Sequence, residues 1–164
     1  MEAQNEECCP KFETEKWDKK TFSWNNKLFI KETLPTFLHI PFPPMIGKRI
    51  TKMDALARRA DATSPDPKEA LILFRDPSAF KSEIYYSVTK AVGGATNTTL
   101  SGTYEAMVFD GGYNNIPQHI QEMEKYLGGK QEKATDYLVH YAYCPKCTKK
   151  YGHNYMILFA HVGA

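Results

Sequence analysis

The fold turns on Thr135-Asp136-Tyr137-Leu138-Val139-His140-Tyr141-Ala142-Tyr143, then Cys144-Pro145-Lys146-Cys147, then residues 148–153, then Asn154-Tyr155-Met156-Ile157-Leu158-Phe159-Ala160-His161-Val162. Both flanks are aromatic and apolar, as strands are. The connector is polar and lysine-rich, opens with Cys-x-x-Cys and ends at Gly152. The pattern predicts a β-hairpin whose tip carries thiols. Tyr137, Val139, Tyr141 and Tyr143 share one face of the first strand; Leu138, His140 and Ala142 share the other. The returning strand is apolar on both faces and therefore belongs inside a sheet.

Working outward, the chain has 164 residues, enough for one domain or two fused half-domains. A net charge of +2 is too small to argue for nucleic acid or a membrane surface as partner. No apolar run approaches the ~18–20 residues that cross a bilayer, and the acidic start Glu2–Glu7 lacks the apolar core of a signal peptide. A cytoplasmic protein is expected, with its four cysteines as thiols or metal ligands. Asn97-Thr98-Thr99 is then a chance match to a glycosylation acceptor. Aromatics reach 13%, more rings than a core needs.

Residues 1–33 read as an N-terminal arm that must dock, because Trp17, Phe22, Trp24 and Phe29 would otherwise be wet. The arm is expected to hold one or two short strands around the turn-prone Asn25-Asn26. Residues 34–164 read as the domain proper. Phe37–Ile40 is a strand, and Met45–Ala60 a helix with Ile46, Ile50, Met53, Ala57 and Ala60 on one face. Ala70–Phe74 and Glu83–Val88 are strands. The pattern restarts with the strand Thr103–Phe109, the turn Asp110-Gly111-Gly112 and a helix capped by Asn115, with Ile116, Ile120, Met123 and Leu127 on one face. An offset of 70 places Ile46 on Ile116, Ile50 on Ile120, Met53 on Met123 and Leu71 on Tyr141. The expected fold is α+β: duplicated β-α-β-β half-units, about 35–90 and 103–162, forming an antiparallel sheet with two helices on one face.

Several of these segments together resemble the GyrI-like small-molecule-binding family, the fold of effector-binding domains in multidrug-sensing regulators. They are Leu100-Ser101-Gly102-Thr103-Tyr104-Glu105-Ala106, Phe109-Asp110-Gly111-Gly112-Tyr113, the helix to Leu127, and Phe74-Arg75-Asp76-Pro77 before the strand 83–88. The resemblance spans roughly residues 35–162. Cys8-Cys9-Pro10-Lys11-Phe12 with Cys144-Pro145-Lys146-Cys147 is similar to a bacterial branch labelled simply "hydrolase". GyrI-like domains place a glutamate on the strand before a Tyr-x-x-Pro turn, where it meets cationic ligands. Matched on that turn, the position here is Tyr141, with Glu105 and Glu83 as substitutes. The resemblance implies a ligand site bordered by Tyr141, with Trp24, Tyr85 and Glu105. No DNA-binding helix-turn-helix precedes the domain, which argues against a transcription factor.

The chemistry leaves alternatives open. Cys144 and Cys147 have the spacing of half a zinc site, which Cys8 and Cys9 would complete, with His153 or His161 as alternates. A redox pair activated by Lys146, Lys149 and Lys150 competes with zinc, as do inert thiols. A thioredoxin-type role is disfavoured, since that motif opens a helix after a strand and this one opens a hairpin connector. His39, His140 and His161 read as core histidines. Glu105 shares a face with Met107 and Phe109; it is either solvent-facing or a buried carboxylate with a raised pKa, and is the candidate general base. No nucleophile elbow or phosphate-binding glycine loop appears. Three functions follow: a stand-alone small-molecule-binding domain for an aromatic or amphipathic ligand, a hydrolase using the same cleft with Glu105 or a histidine as base, and a zinc-stapled interaction module. No organic cofactor is expected.

Overall fold

The computed structural model describes residues 11–38, 40–41, 43–78, 80–111, 115–143 and 145–162. Its elements are β1 (Lys20–Phe37), β2 (Ile40–Pro41), α1 (Pro43–Arg59), β3 (Ile72–Ser78), β4 (Lys81–Ser87), β5 (Thr96–Asp110), α2 (Ile116–Gly129), β6 (Ala134–Tyr141), α3 (Pro145–Tyr151) and β7 (Tyr155–Val162). Two compact units form: one is Trp24–Ser101, the other joins Gly102–Ala164 to the residues before Trp24. No helix among the described residues is long and apolar enough to cross a membrane.

In the unit Trp24–Ser101, β4 pairs antiparallel with β1, from Phe29↔Ser87 to Pro35↔Lys81, and with β3, from Ile72↔Tyr86 to Arg75↔Glu83. The period-2 alternation sends Ile30, Leu34 and Ile84 to the side covered by α1, where Met53 and Ala57 are buried against them. Burying a side chain the size of Ile or Met contributes about 1.5–3 kcal/mol, so this stripe holds α1 in place. Arg58 and Asp54, one turn apart, pair at 2.7 Å, and Asp54 also accepts from the Tyr86 hydroxyl.

In the other unit β7 lies between β5 and β6, antiparallel to both, with Met156–Ala160 buried. The doubly apolar strand is therefore interior to the sheet. Helix α2 has Pro117 in its first turn and lays His119, Met123 and Leu127 on a cluster that includes Met107, Phe109, Val139, Met156 and Leu158. Asn115 occupies the N-cap position without a side-chain cap bond, and Gly128-Gly129 closes the helix. On the opposite face of β7, Phe159 meets the rings of Trp17 and Phe22, each at 6.1 Å.

Each unit thus runs strand, helix, strand, strand, and in each the third strand pairs with both others. The expected open sheet carrying two helices on one face is nonetheless wrong. The strand order is β2-β1-β4-β3-β6-β7-β5, and a further β1–β5 pairing joins the ends. Among the described residues six strands therefore form a closed ring of pairings, accompanied by three α-helices. The reason is strand length. β1 has 18 residues and β5 has 15, long enough for β1 to pair with β2, β4 and β5, and for β5 to pair with β7 and β1. The sequence reading cut β1 at its Asn25-Asn26 and began β5 only at Thr103. Asn26 does take a left-handed φ of 54°, but as a kink inside a continuous strand.

The offset of 70 also holds only at the helices, whose last residues Arg59 and Gly129 are 70 apart. Ile72 and Ala134 are 62 apart, and Lys81 and Tyr155 are 74 apart. Connectors of unequal length, 60–71 against 130–133 and 79–80 against 142–154, shift the later strands.

Candidate ligand-binding site

On the face of β1, β4 and β3 turned away from α1, alternation and register gather a set of charges and rings. Lys31 stands opposite Tyr85 across β1–β4, and Arg75 stands opposite Glu83 across β3–β4. Glu83 is 5% exposed. Its Oε1 accepts from Arg75 Nη1 at 2.9 Å and from the Tyr85 hydroxyl at 2.8 Å; its Oε2 lies 3.1 Å from Lys31 Nζ. Burial alone would raise this carboxyl's pKa, but the bonds from Tyr85, Lys31 and Arg75 hold it below the usual carboxylate range. A buried carboxylate left without such partners would cost several kcal/mol, so the cluster is a condition of Glu83 being there at all.

Aromatic rings continue from this cluster. Tyr85 meets Phe29 edge-on at 6.1 Å, and Phe29 meets Trp24 at 6.2 Å. Positions 24 and 29 would point to opposite faces of a regular strand. The left-handed kink at Asn26, whose backbone N–H donates to Ser101 Oγ at 2.8 Å, changes the parity and brings the two rings together. Lys27 Nζ lies 5.9 Å from the Trp24 ring and 6.0 Å from that of Phe29, and Lys31 Nζ lies 5.6 Å from that of Tyr85. Burial lowers the pKa of Lys27.

Of the residues proposed from sequence, Trp24 and Tyr85 therefore share Phe29. Glu105 and Tyr141 belong to the other unit. Glu105 is 1% exposed, on the α2 side with Met107 and Phe109. Its carboxylate accepts from Thr21 Oγ1 at 2.9 Å and from Lys130 Nζ, just past the end of α2, at 2.7 Å. The raised pKa expected for a buried Glu105 is corrected: burial pushes upward, but the bonds from Lys130 and Thr21 hold it below the carboxylate range. Tyr141 and Tyr137 pack against the cluster beneath α2. Among the histidines, His161 stacks on Tyr104 at 4.7 Å, while His153 Nδ1 lies 2.8 Å from Asp110 Oδ2.

The cysteines divide. Cys8, Cys9 and Cys144 lie outside the described residues, as does His39. Cys147 is 3% exposed, in a cluster with Tyr143, Phe12, Tyr151 and Tyr155. Phe12 is held there by a 2.8 Å bond from its backbone N–H to the Tyr143 hydroxyl and by its ring, 5.5 Å from that of Tyr155. No group of three or more metal-binding side chains occurs among the described residues. The segment after β6 is not a plain hairpin connector, because Pro145–Tyr151, which includes Cys147, forms the helix α3; the ground for disfavouring a thioredoxin-like setting therefore does not hold.

Sequence reasoning missed three features. Lys31 and Arg75 were not linked to Glu83, because the link exists only through strand register. His119 was overlooked although it sits one helical turn before Met123. It is 6% exposed, stacked on Phe109 at 4.2 Å, with neither ring nitrogen hydrogen-bonded among the described residues. A small cleft of about 180 Å³ lined by Arg58, Thr63, Ser64, Pro67, Tyr86 and Ser87 had no sequence signal. It is below the ~300–1,000 Å³ of ordinary ligand pockets.

The fold fits the one that the GyrI-like resemblance implies. The chain belongs to the family described as "Bacterial hydrolase", whose model matches residues 1–162. Among solved structures, the EcmrR C-terminal domain is similar at a TM-score of 0.67 with 11% identity, over 90% of this chain and 98% of that one. A hydrolase from Listeria innocua is similar at 0.63 with 10% identity, over 89% and 93%. SAV2435, in a structure bound to tetraphenylphosphonium, is similar at 0.53 with 13% identity, over 88% and 93%. At such identities the likeness concerns the fold. No curated protein matches the chain.

Proposed function

We propose that the protein is a small-molecule-binding domain whose ligand, aromatic or amphipathic, is held on the Trp24–Phe29–Tyr85 face beside Glu83. The observation that carries this reading is the buried Glu83 carboxylate, bound by Tyr85, Arg75 and Lys31 next to a run of rings. Phe29 is fully buried and Tyr85 nearly so, so the half-buried Trp24 is the ring a ligand can reach, and the packed rings and fixed polar cluster behind it hold it in place. The complex of the similarly folded SAV2435 with an aromatic ion supports a binding role for such a domain. Hydrolysis, the activity in the family's description, asks for a general base. Glu83 and Glu105 are both ion-paired with pKa values below the usual range, which makes them weak bases, so binding is the better-supported reading.

The test is a fluorescence titration with the neutral probe N-phenyl-1-naphthylamine. Saturable binding is expected, weakened about tenfold or more by Trp24→Ala, a loss typical of a central aromatic contact. The melting temperature should be unchanged. No saturable binding by the wild type would remove the reading.

A second reading concerns the cysteines. We propose that Cys144 and Cys147 bind zinc together with Cys8 and Cys9. Its support is the docking of Phe12 against Tyr143 and Tyr155, beside Cys147. Cys9 is only three residues from Phe12, a reach of at most about 10–11 Å.

A further inference from the structure

Within the proposed binding face, the charges do not suit the cationic ligands that the family resemblance implies. Both oxygens of Glu83 are already engaged, Oε1 by Arg75 and Tyr85 and Oε2 by Lys31. A cationic ligand would have to displace two of the protein's own cations from a buried carboxylate. Lys27 is in the opposite condition. Its ammonium rests over Trp24 and Phe29, and it has no carboxylate partner among the described residues. A half-buried cation on aromatic rings gains an attraction of about 0.5–2 kcal/mol from them, which does not neutralise it. An anion placed against those rings would.

We infer that the ligand of this face is an aromatic anion, its ring lying against the half-buried Trp24, since Phe29 beneath is fully buried, and its carboxylate, sulfonate or similar group meeting Lys27. This rests on the binding role proposed above and adds the sign of the ligand's charge. Lys27 would be the specificity-determining contact. Glu83 would serve to fix Lys31, Arg75 and Tyr85 in place and would not itself touch the ligand. The lowered pKa of Lys27 is in keeping with an ammonium that lacks a counter-ion.

Tetraphenylborate and tetraphenylphosphonium have nearly the same shape and opposite charge, which isolates the electrostatic part of recognition. Titration calorimetry of the full chain with each, alongside neutral N-phenyl-1-naphthylamine, tests the inference. Tetraphenylborate should bind about tenfold or more tightly than tetraphenylphosphonium, a difference on the scale of one desolvated charge contact. Lys27→Met should lower its affinity about fivefold or more while leaving the neutral probe unaffected. Lys27→Glu should reverse the order of the two ions, and Lys48→Met, on an exposed position of α1, should change nothing. Equal or tighter binding of tetraphenylphosphonium, or indifference to both Lys27 variants, would overturn the inference while leaving a binding role intact. If none of the three probes binds, the binding role itself falls.

Discussion

The Tyr85 hydroxyl donates to the Glu83 carboxylate at 2.8 Å, two residues back on the same strand, so two neighbours on one face of β4 act as a single unit. Tyr85→Phe removes that donor from a buried charge. A hydrogen bond to a charged group contributes about 1.5–3 kcal/mol. Chemical denaturation should show a loss in that range with an unchanged slope. Glu83's pKa is lowered from 4.5. Its contribution is therefore fully present above pH 4.5 and is lost as pH falls through its lower folded value. Glu83→Gln should flatten that part of the acid limb.

His119 works at a different pH. Burial lowers its pKa from 6.5, with Glu122 opposing. Above pH 6.5 neither the folded nor the unfolded chain carries this proton. As pH falls below 6.5 the unfolded chain takes it up first, so stability declines until the folded value is passed. His119→Phe keeps a ring on Phe109 and removes two unsatisfied nitrogens. Thermal melts between pH 7.5 and 5.5 should show a smaller decline for the variant than for the wild type. An identical decline would assign the acid sensitivity elsewhere.

Gly102 has φ +130°, and a Cβ there would overlap the ring of His161, which stacks on Tyr104. Gly102→Ala should cost about 1–3 kcal/mol from backbone strain alone, with the clash added. Gly47→Ala is the contrast: the site is open and helical. It should be neutral or raise the melting temperature, since glycine inside a helix costs roughly 0.5–1 kcal/mol relative to alanine.

Zinc bound by the two cysteine pairs would tie the N-terminal segment to the β6–β7 connector. Elemental analysis of protein purified without added metal should find about one zinc per chain. Chelation should then lower the melting temperature and make the bond after Lys11 cleavable by trypsin. Four thiols that titrate at once in native, metal-free protein would end this proposal.

How far the sequence could be read depended on whether the signal was local. The stripes Ile46-Ile50-Met53-Ala57 and Ile120-Met123-Leu127 report helix faces directly, because a helix buries residues three and four apart. The doubly apolar run Met156–Ala160 likewise reports an interior strand. Asn25-Asn26 misled, since an asparagine in a left-handed conformation serves equally as a turn or as a kink within a long strand. That error hid the full length of β1 and with it the closed ring of pairings. Glu83 is one of the two substitutes that the family resemblance offers for its ligand-facing glutamate. That Arg75 and Lys31 hold it is decided by register between β3, β4 and β1, which no local pattern records. Tyr137 and Tyr141 read equally well as pocket or packing residues, and the structure sets them against the cluster beneath α2.

The central claim is that the Trp24–Phe29–Tyr85 face holds a small aromatic molecule. Amide and indole chemical-shift mapping of isotope-labelled protein with N-phenyl-1-naphthylamine tests it most directly. The account predicts that the largest changes fall on the Trp24 indole N–H and the amides of Lys27, Phe29, Lys31 and Tyr85. Changes centred instead on Thr63, Ser64 and Tyr86 of the small cleft, or on Tyr137 and Tyr141, would contradict it.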